Sequence, residues 1–324
     1  MIKTLKCLLI SQLKCSKIPQ EIGGFTLIEL LVGMIIAVLV ITPLLGFMIN
    51  VLSTDRQEQA KANSEQEVQA ALDYIARDLQ QAIYIYDAAG VDAIRNQLPN
   101  PTVTDRVPVL VFWKRELVKQ AITITGIQKD DTYVYSLIAY YLLKDTNSTW
   151  SNAARITRWQ IKDGVAATTG AGVDCVGHTG KYISSDYCPS DGFALFKLDG
   201  PGTIDEKMNA WLKGSATPPS PIVLVDFIDQ SLSTNSPPPP SKITCPTGST
   251  LVAPNTVNFN GRDTFKMTSF YACVDRVNTT AQVFLRGNAL ARLQNNNLDY
   301  TPNKSTYFPT ASIRVQGRGY LFTR

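Results

Sequence analysis

The chain has 324 residues, of which 44% are hydrophobic and 18% charged, a composition typical of a globular protein. Its formal net charge is +4. Residues 1–24 hold four lysines and one glutamate, a net charge of +3, which leaves only +1 for the rest of the chain. This near-neutral remainder lacks the basic face of a nucleic-acid-binding protein, so we expect no nucleic-acid partner.

The N-terminal segment, residues 1–24, is a basic leader that ends in Gly23-Gly24, and an apolar run from Phe25 to Leu52 follows it. A secretory signal peptide instead has a short apolar core before a small-x-small cleavage site. As a helix, the 28 residues of the run measure about 42 Å, more than the roughly 30 Å of bilayer hydrocarbon. We therefore predict a transmembrane helix over residues 25–52, with the lysine-rich leader on the cytoplasmic side.

One charged side chain, Glu29, interrupts this apolar run, at a cost of a few kcal/mol in a bilayer. The stretch GGFTLIELLVGMIIAVLVI resembles the N-terminal signature of type IV prepilins and pseudopilins. That signature has a glycine before the cleavage site, a phenylalanine first in the mature chain and a glutamate at its fifth position. Gly24, Phe25 and Glu29 match all three.

The resemblance implies that prepilin peptidase cuts between Gly24 and Phe25 and methylates the new amine of Phe25. It also implies that Glu29 neutralises the N-terminus of a neighbouring subunit in a filament, where two costly charges are paired. The alternative is a carboxylate that reaches toward the lipid head groups. Pro43 and Gly46 predict a helix kink, either with a role in loosening the filament helix or without one.

Residues 53–90 predict an amphipathic spine helix with one apolar stripe. The stripe residues recur at three- and four-residue steps: Val68, Leu72, Ile75, Leu79, Ile83 and Tyr86. Arg77, Asp78 and Gln80 fall on the opposite, polar face. We expect the stripe to pack on a sheet rather than in a coiled coil. The stretch DYIARDLQQAIYIY is similar to the spine of J-type pseudopilins of type II secretion and of W-type minor pilins.

Residues 91–324 predict a β-rich, extracytoplasmic head domain. Its candidate strands are Val107–Lys114, Thr132–Leu143, Ala154–Ile161, Ile222–Ile228, Ser269–Asp275, Ala281–Leu285 and Ser312–Gln316. Because no βαβ repeat appears, we expect an α+β fold in which the long N-terminal helix, half membrane segment and half amphipathic, packs on an antiparallel sheet. The resemblance implies a pilin-like roll with loop insertions, here at 164–219 and at 232–256, which holds the proline-rich Thr234–Lys242.

The head contains four cysteines, an even set that favours disulfides in an oxidising compartment over free buried thiols. They are Cys175, Cys188, Cys245 and Cys273. Four cysteines allow three connectivities, of which we favour the sequential pairing. A zinc site is not expected, because the four form no CxxC pair and His178 is the only histidine.

No GxSxG, P-loop or HExxH motif occurs, so we expect neither an enzyme nor a cofactor or metal. Asp130-Asp131 and Asp186–Asp191 are either calcium ligands or solvated loop acids, and the second reading is favoured because neither has EF-hand spacing. In Arg286–Arg292, RGNALAR, we expect a strand end, a turn at Gly287-Asn288 and a short helix. Its two arginines contact a partner subunit or are ordinary surface charges. Three tryptophans are candidates for sugar stacking or for the core, and Trp159 favours the core: Trp150, Trp159 and Trp211.

The stretches LRGNALARL and ASIRVQGRGYLFTR, with the proline-rich insertion, look like C-type pseudopilins of cyanobacterial hormogonium polysaccharide secretion. This resemblance implies a minor subunit of a type IV pilus-like filament, anchored by one pass in the inner membrane with its head outside, that supports polysaccharide secretion and gliding motility. The implied partners are other pilins, prepilin peptidase, membrane lipid and an assembly platform with a separate ATPase.

Three alternatives remain open. The first is a minor pilin that primes type IV pili, and the second is a J-type subunit of type II protein secretion. The third, from a different class, is a membrane-anchored sugar-binding or hydrolytic protein. This class needs a convergent pair of acids or a polar pocket in the head, and the sequence shows neither.

Overall fold

The computed structural model describes residues 24–125, 128–167, 172–256, 265–319 and 321. Of the predicted leader, all but Gly24 lies outside these residues. The chain divides into two compact units, Met1–Asp55 and Arg56–Arg324. Helix α1, Leu27–Leu79, supplies residues to both units.

In the first unit, α1 is apolar on every side. Each large hydrophobic side chain from Phe25 to Leu52 is at least 46% exposed, and the segment is long and apolar enough to cross a membrane. A soluble helix keeps a polar face toward water, whereas a helix that is apolar all round needs an apolar surrounding. This matches the predicted transmembrane segment at 25–52.

In the second unit, α1 is amphipathic and buries one stripe of side chains. Val68, Leu72, Ile75 and Leu79 are at most 2% exposed. They belong to one large core that also takes side chains from both of the main sheets. The prediction that this stripe packs on a sheet is therefore met.

The predicted end of the spine helix is wrong. Helix α1 ends at Leu79, and strand β1, Ala82–Ile85, follows at once. Ile83 lies in this strand, and the Tyr86 N–H donates to Val111 O at 2.9 Å. The alternation of β-branched and aromatic residues, paired with a neighbouring strand, outweighs the helical spacing that continues through this stretch.

In the part of the chain that the structure describes, the strands form two antiparallel sheets and a small hairpin. One sheet has the order β1-β2-β3-β4-β7, the second has the order β11-β10-β9-β8, and β5 pairs with β6. The strands after β1 are β2 Arg106–Thr125, β3 Gln128–Leu143, β4 Ala154–Lys162, β5 Val173–Cys175, β6 His178–Tyr182, β7 Ile222–Ile228, β8 Thr250–Val252, β9 Phe270–Asp275, β10 Thr280–Arg286 and β11 Thr310–Gln316. All seven predicted strands are present, and the fold is α+β.

Both edge strands of the first sheet, β7 and β1, connect to the second sheet. At one margin Ile228 bridges to Gly287, and the Asn288 N–H donates to Phe227 O at 2.7 Å. At the other margin, the segment after β11 lies along β1, where the Gly319 N–H donates to Ala82 O at 3.2 Å. The sheets therefore enclose one core with α1.

The insertion at 164–219 contributes to this core. It contains two short helical elements, a 3-10 turn Ser185–Tyr187 and helix α3, Ile204–Asn209. Its aromatic side chains Phe193, Phe196 and Trp211 meet the Trp113 ring edge to face, with centroids 4.9 to 6.1 Å apart. The other helical elements among the described residues are α2 Ala88–Ile94 and the 3-10 turns Arg95–Gln97, Ala289–Arg292 and Pro302–Tyr307.

Two disulfides stabilise the insertions, and one of them ties an insertion to a strand of the head. Cys175 bonds to Cys188 within the first insertion. Cys245, in the second insertion, bonds to Cys273 in β9. This is the sequential pairing that the sequence favours.

Candidate functional site

The start of α1 is held by a reciprocal pair of hydrogen bonds. The Glu29 backbone N–H donates to Thr26 Oγ1 at 3.3 Å, and Glu29 Oε2 accepts from the Thr26 N–H at 3.4 Å and from its hydroxyl at 3.2 Å. This is a capping box, which satisfies donors that a helix start leaves without intrahelical partners. The carboxylate also lies at the positive end of the helix dipole.

The capping box gives Glu29 a local role that the sequence analysis missed. Its signal was readable, because T-L-I-E places Thr26 three residues before the glutamate. Oε1 of Glu29 makes no hydrogen bond with another described residue, so one carboxylate oxygen is available while the other caps the helix. The cap thus fixes the carboxylate without using all of its acceptors.

The Gly24-Phe25 bond precedes the helix. Both residues are exposed and non-helical, and the Phe25 side chain is 84% exposed. A peptide bond outside regular structure is accessible to a protease, whereas a helical one must first unwind. Downstream, α1 runs through Pro43 and Gly46 without interruption. The predicted kink stays a prediction.

A second polar cluster lies where α1 meets the first sheet. Asp78 is 7% exposed, so its placement on the polar face of the helix was wrong. Its carboxylate accepts hydrogen bonds from Lys114 Nζ at 2.9 Å, from the Tyr140 hydroxyl at 2.7 Å and from Arg158 Nε at 2.8 Å. The sequence could not show this, because the three donors come from β2, β3 and β4.

The electrostatics of Asp78 follow from these partners. Burial alone raises the pKa of the Asp78 carboxyl. Its partners lower the pKa by more than burial raises it, so the pKa lies below its usual value. These partners are Arg158, through its hydrogen bond and its charge, then the charge of Lys114 and the hydrogen bond from the Tyr140 hydroxyl. Burial and the adjacent Asp78 charge raise the pKa of the Tyr140 hydroxyl. The carboxylate is therefore ionised and fully engaged, which makes this cluster a structural lock between helix and sheet.

The RGNALAR motif forms a latch on the same helix. Strand β10 ends at Arg286, and Asn288 caps the 3-10 turn Ala289–Arg292, as predicted. A Cβ on Gly287 would meet Ser64 Oγ and Val68 Cγ2, both at 2.8 Å. Only a glycine therefore allows this close approach of the strand end to α1.

The two arginines of the motif are both engaged within the chain. Arg292 pairs with Glu67 of α1, and its guanidinium carbon lies 4.0 Å from the Phe227 ring centroid. Arg286 is 5% exposed and donates to Asp229 Oδ2 at 2.7 Å, so the prediction that it contacts a partner or is a surface charge was wrong. Arg286 also donates to Pro240 O at 3.3 Å, which ties the proline-rich segment to β10.

Of the two acidic groups, Asp130-Asp131 stabilises local structure. Asp131 Oδ1 accepts from the Gln120 N–H at 2.8 Å, where Gln120 has a φ of 51° at a bulge in β2. Asp130 Oδ1 accepts from the Asp131 N–H at 2.8 Å. Asp186 and Asp191 are exposed. Within the described ranges, no three His, Cys, Asp or Glu side chains are grouped so that they could hold a metal ion.

The remaining candidates divide between core and surface. His178 begins β6, is half-buried and meets the Tyr182 ring edge to face at 5.5 Å. Trp159 and Trp211 are 1% and 4% exposed, which places both in the core. Trp150 is 41% exposed and is the one of the three that solvent reaches.

The chain was compared with protein-family models, with curated proteins and with solved structures, and none of them matches it.

Proposed function

We propose that this chain is a minor subunit of a type IV pilus-like filament, released from its leader by cleavage between Gly24 and Phe25. The observation that carries the proposal is the start of α1. An exposed, non-helical Gly24-Phe25 bond precedes a capped helix that is apolar on every side through Leu52. A single carboxylate, Glu29, lies in its first turn.

The charges at this helix start suggest how subunits join. Cleavage leaves a positive amine on Phe25, next to a helix end that already carries a partial positive charge. A bilayer or a packed helical bundle penalises that amine unless an anion meets it. The free oxygen of Glu29 on a neighbouring subunit supplies this anion, and the pairing sets the axial register between subunits.

The head has the attachments that a force-transmitting subunit needs. The Asp78 lock and the RGNALAR latch both fasten α1 to the sheets. One disulfide closes a loop within the first insertion, and the other fastens the second insertion to β9. A filament subunit receives force through its helix and passes it to its head, so rigid attachment is what this role requires. The disulfides also suit a head outside the cytoplasm.

We further propose that the filament serves polysaccharide secretion. The resemblance of LRGNALARL and of the C-terminal stretch to polysaccharide-secretion pseudopilins supports this choice over a pilus-priming pilin or a protein-secretion subunit. Gene neighbours distinguish these three systems, because glycosyltransferase genes are expected beside a polysaccharide-secretion system.

The assembly step is tested with Glu29→Gln, which keeps the size of the side chain and removes its charge. We expect the variant to be processed and inserted in the membrane but lost from the filament fraction. Glu58→Gln is the matched control, since Glu58 is an exposed acid on the same helix. Normal recovery of the Glu29→Gln chain in filaments would contradict the proposed pairing.

A further inference from the structure

A groove with a volume of about 870 Å³ runs along the second unit. Helix α1 forms one wall, and the opposite wall comes from β7, from the β3–β4 connection and from the chain that follows the RGNALAR turn. Its lining includes Tyr74 and Arg77 of α1, Trp150 and Ser151 of the connection, Asp226 of β7, and Asn295. The groove lies apart from the helix start used in the proposed function.

Two aromatic rings dominate this groove. Tyr74 and Trp150 are each 41% exposed. The guanidinium carbon of Arg158 lies 5.5 Å from the Tyr74 ring centroid, and that of Arg155 lies 6.0 Å from the Trp150 centroid. Because both arginines are buried, these cation–π contacts hold the rings in place. Fixed aromatic surfaces lose little entropy when a ligand binds.

The polar groups around the rings can both donate and accept hydrogen bonds. Arg77 donates, and the Asn295 amide does both, whereas the Ser151 hydroxyl already donates to Asp226. The Tyr74 hydroxyl and the Trp150 indole N–H make no hydrogen bond with another described residue. Two carboxylates and one guanidinium line the groove, which disfavours a polyanion. The ligand must offer apolar faces and hydroxyl groups in one molecule.

We propose that this groove binds a saccharide chain. Pyranose rings present apolar C–H faces that pack on the electron-rich faces of aromatic rings, and their hydroxyls match donors and acceptors at the rim. The open form of the groove suits a segment of a polymer. The inference rests on the proposed function for the source of the ligand, and it deepens that function by naming a direct contact with the exported cargo.

The carboxylates of the groove are arranged for binding rather than for hydrolysis. Glycoside hydrolysis needs one carboxyl that carries a proton and a second that is ionised. The Asp226 carboxylate accepts from the Ser151 N–H at 2.8 Å, from the Ser151 hydroxyl at 2.7 Å and from the Phe227 N–H at 2.8 Å. Glu67 is paired with Arg292. Both lining carboxylates therefore have partners within the chain, unlike the free carboxyl pair that hydrolysis uses.

The test uses the full chain in lipid nanodiscs, because maltoside detergents carry a sugar. Calorimetric titrations use hexasaccharides of β-linked glucose, xylose and N-acetylglucosamine, oligogalacturonate, and the polysaccharide that the host exports. We expect saturable binding of a neutral hexasaccharide or of the host polymer, and weaker binding of oligogalacturonate. The Trp150→Ala and Tyr74→Ala variants should each bind the saccharide with an affinity at least tenfold lower than that of the wild-type chain. The control Tyr133→Ala removes another exposed tyrosine, outside the groove, and leaves binding unchanged.

The inference is wrong if no saccharide binds, or if binding survives both substitutions in chains that unfold at the wild-type denaturant concentration. Binding of a synthetic Thr234–Lys242 peptide in place of any saccharide would also overturn it, since aromatic grooves take proline-rich segments. The two proposals fail separately. A chain that is processed at Phe25 but binds no saccharide contradicts only the proposal of saccharide binding. An unprocessed chain that binds a saccharide contradicts only the proposal of a filament subunit.

Discussion

Asp78 accepts a 2.8 Å hydrogen bond from Arg158 Nε across the interface between α1 and β4, and both side chains are buried. Lys114 and Tyr140 donate to the same carboxylate. Three side chains from three strands therefore meet at one anion in the last turn of α1. This arrangement makes the attachment of the helix depend strongly on a single residue.

Asp78→Ala should lower the free energy of unfolding by about 3–5 kcal/mol, because it leaves the buried Lys114 and Arg158 without their shared anion. Guanidinium unfolding followed by tryptophan fluorescence measures the change. Asp73→Ala is the control, since Asp73 is an exposed acid on the same helix, and it should cost less than about 0.5 kcal/mol. Equal effects of the two substitutions would show that the Asp78 lock is not a major contributor.

The same carboxylate predicts a pH dependence. The pKa of Asp78 in the folded chain lies below its usual value of 3.8, so the folded state favours the ionised form. Its contribution to stability is complete above about pH 5 and is lost as the pH falls below about 4, toward the lowered pKa. The stability difference between wild type and Asp78→Asn should therefore shrink between pH 5 and pH 2. A difference that is constant over this range would contradict the assignment.

Gly287 predicts a steric coupling between β10 and α1. Gly287→Ala places a Cβ 2.8 Å from Val68 Cγ2 and should cost about 1–3 kcal/mol through overpacking. Val68→Ala removes the opposing methyl groups and leaves a cavity. The double variant should be more stable than the sum of the two single effects predicts, by at least about 0.5 kcal/mol. Strict additivity would show that the two sites are not in contact.

The disulfides should contribute unequally. The Cys245–Cys273 bond closes a separation of 28 residues, against 13 for Cys175–Cys188. Loop-closure entropy assigns them about 3.6 and about 3.0 kcal/mol. Cys245→Ser with Cys273→Ala should therefore destabilise the head more than Cys175→Ser with Cys188→Ala. Labelling of four free thiols in unreduced protein would contradict both bonds.

The sequence predicted the strands well because their signals are local. The β-branched and aromatic run at Ile222–Ile228 is bounded as predicted, and the turn after Arg286 forms at Gly287-Asn288. The apolar run at the N-terminus is equally local, since length and composition define it.

The failures concern residues whose partners are distant in sequence. Asp78 and Arg286 read as surface charges, because nothing nearby shows that Arg158 and Asp229 will meet them. The predicted end of α1 was wrong because Ile83 and Tyr86 continue the helical spacing by coincidence. Pairing with β2 makes this stretch a strand instead. The groove was not predictable, because Tyr74 and Trp150 come together only in the folded chain.

The most direct test of the central proposal is the intact mass and N-terminal sequence of the chain isolated from its native membrane. The proposal predicts a chain that begins at N-methylated Phe25, and a Gly24→Val variant that keeps its leader. A wild-type chain that begins at Met1, in cells with an active prepilin peptidase, would contradict it. Helix α1 would then be a simple anchor, and Glu29 would retain only its role in capping the helix.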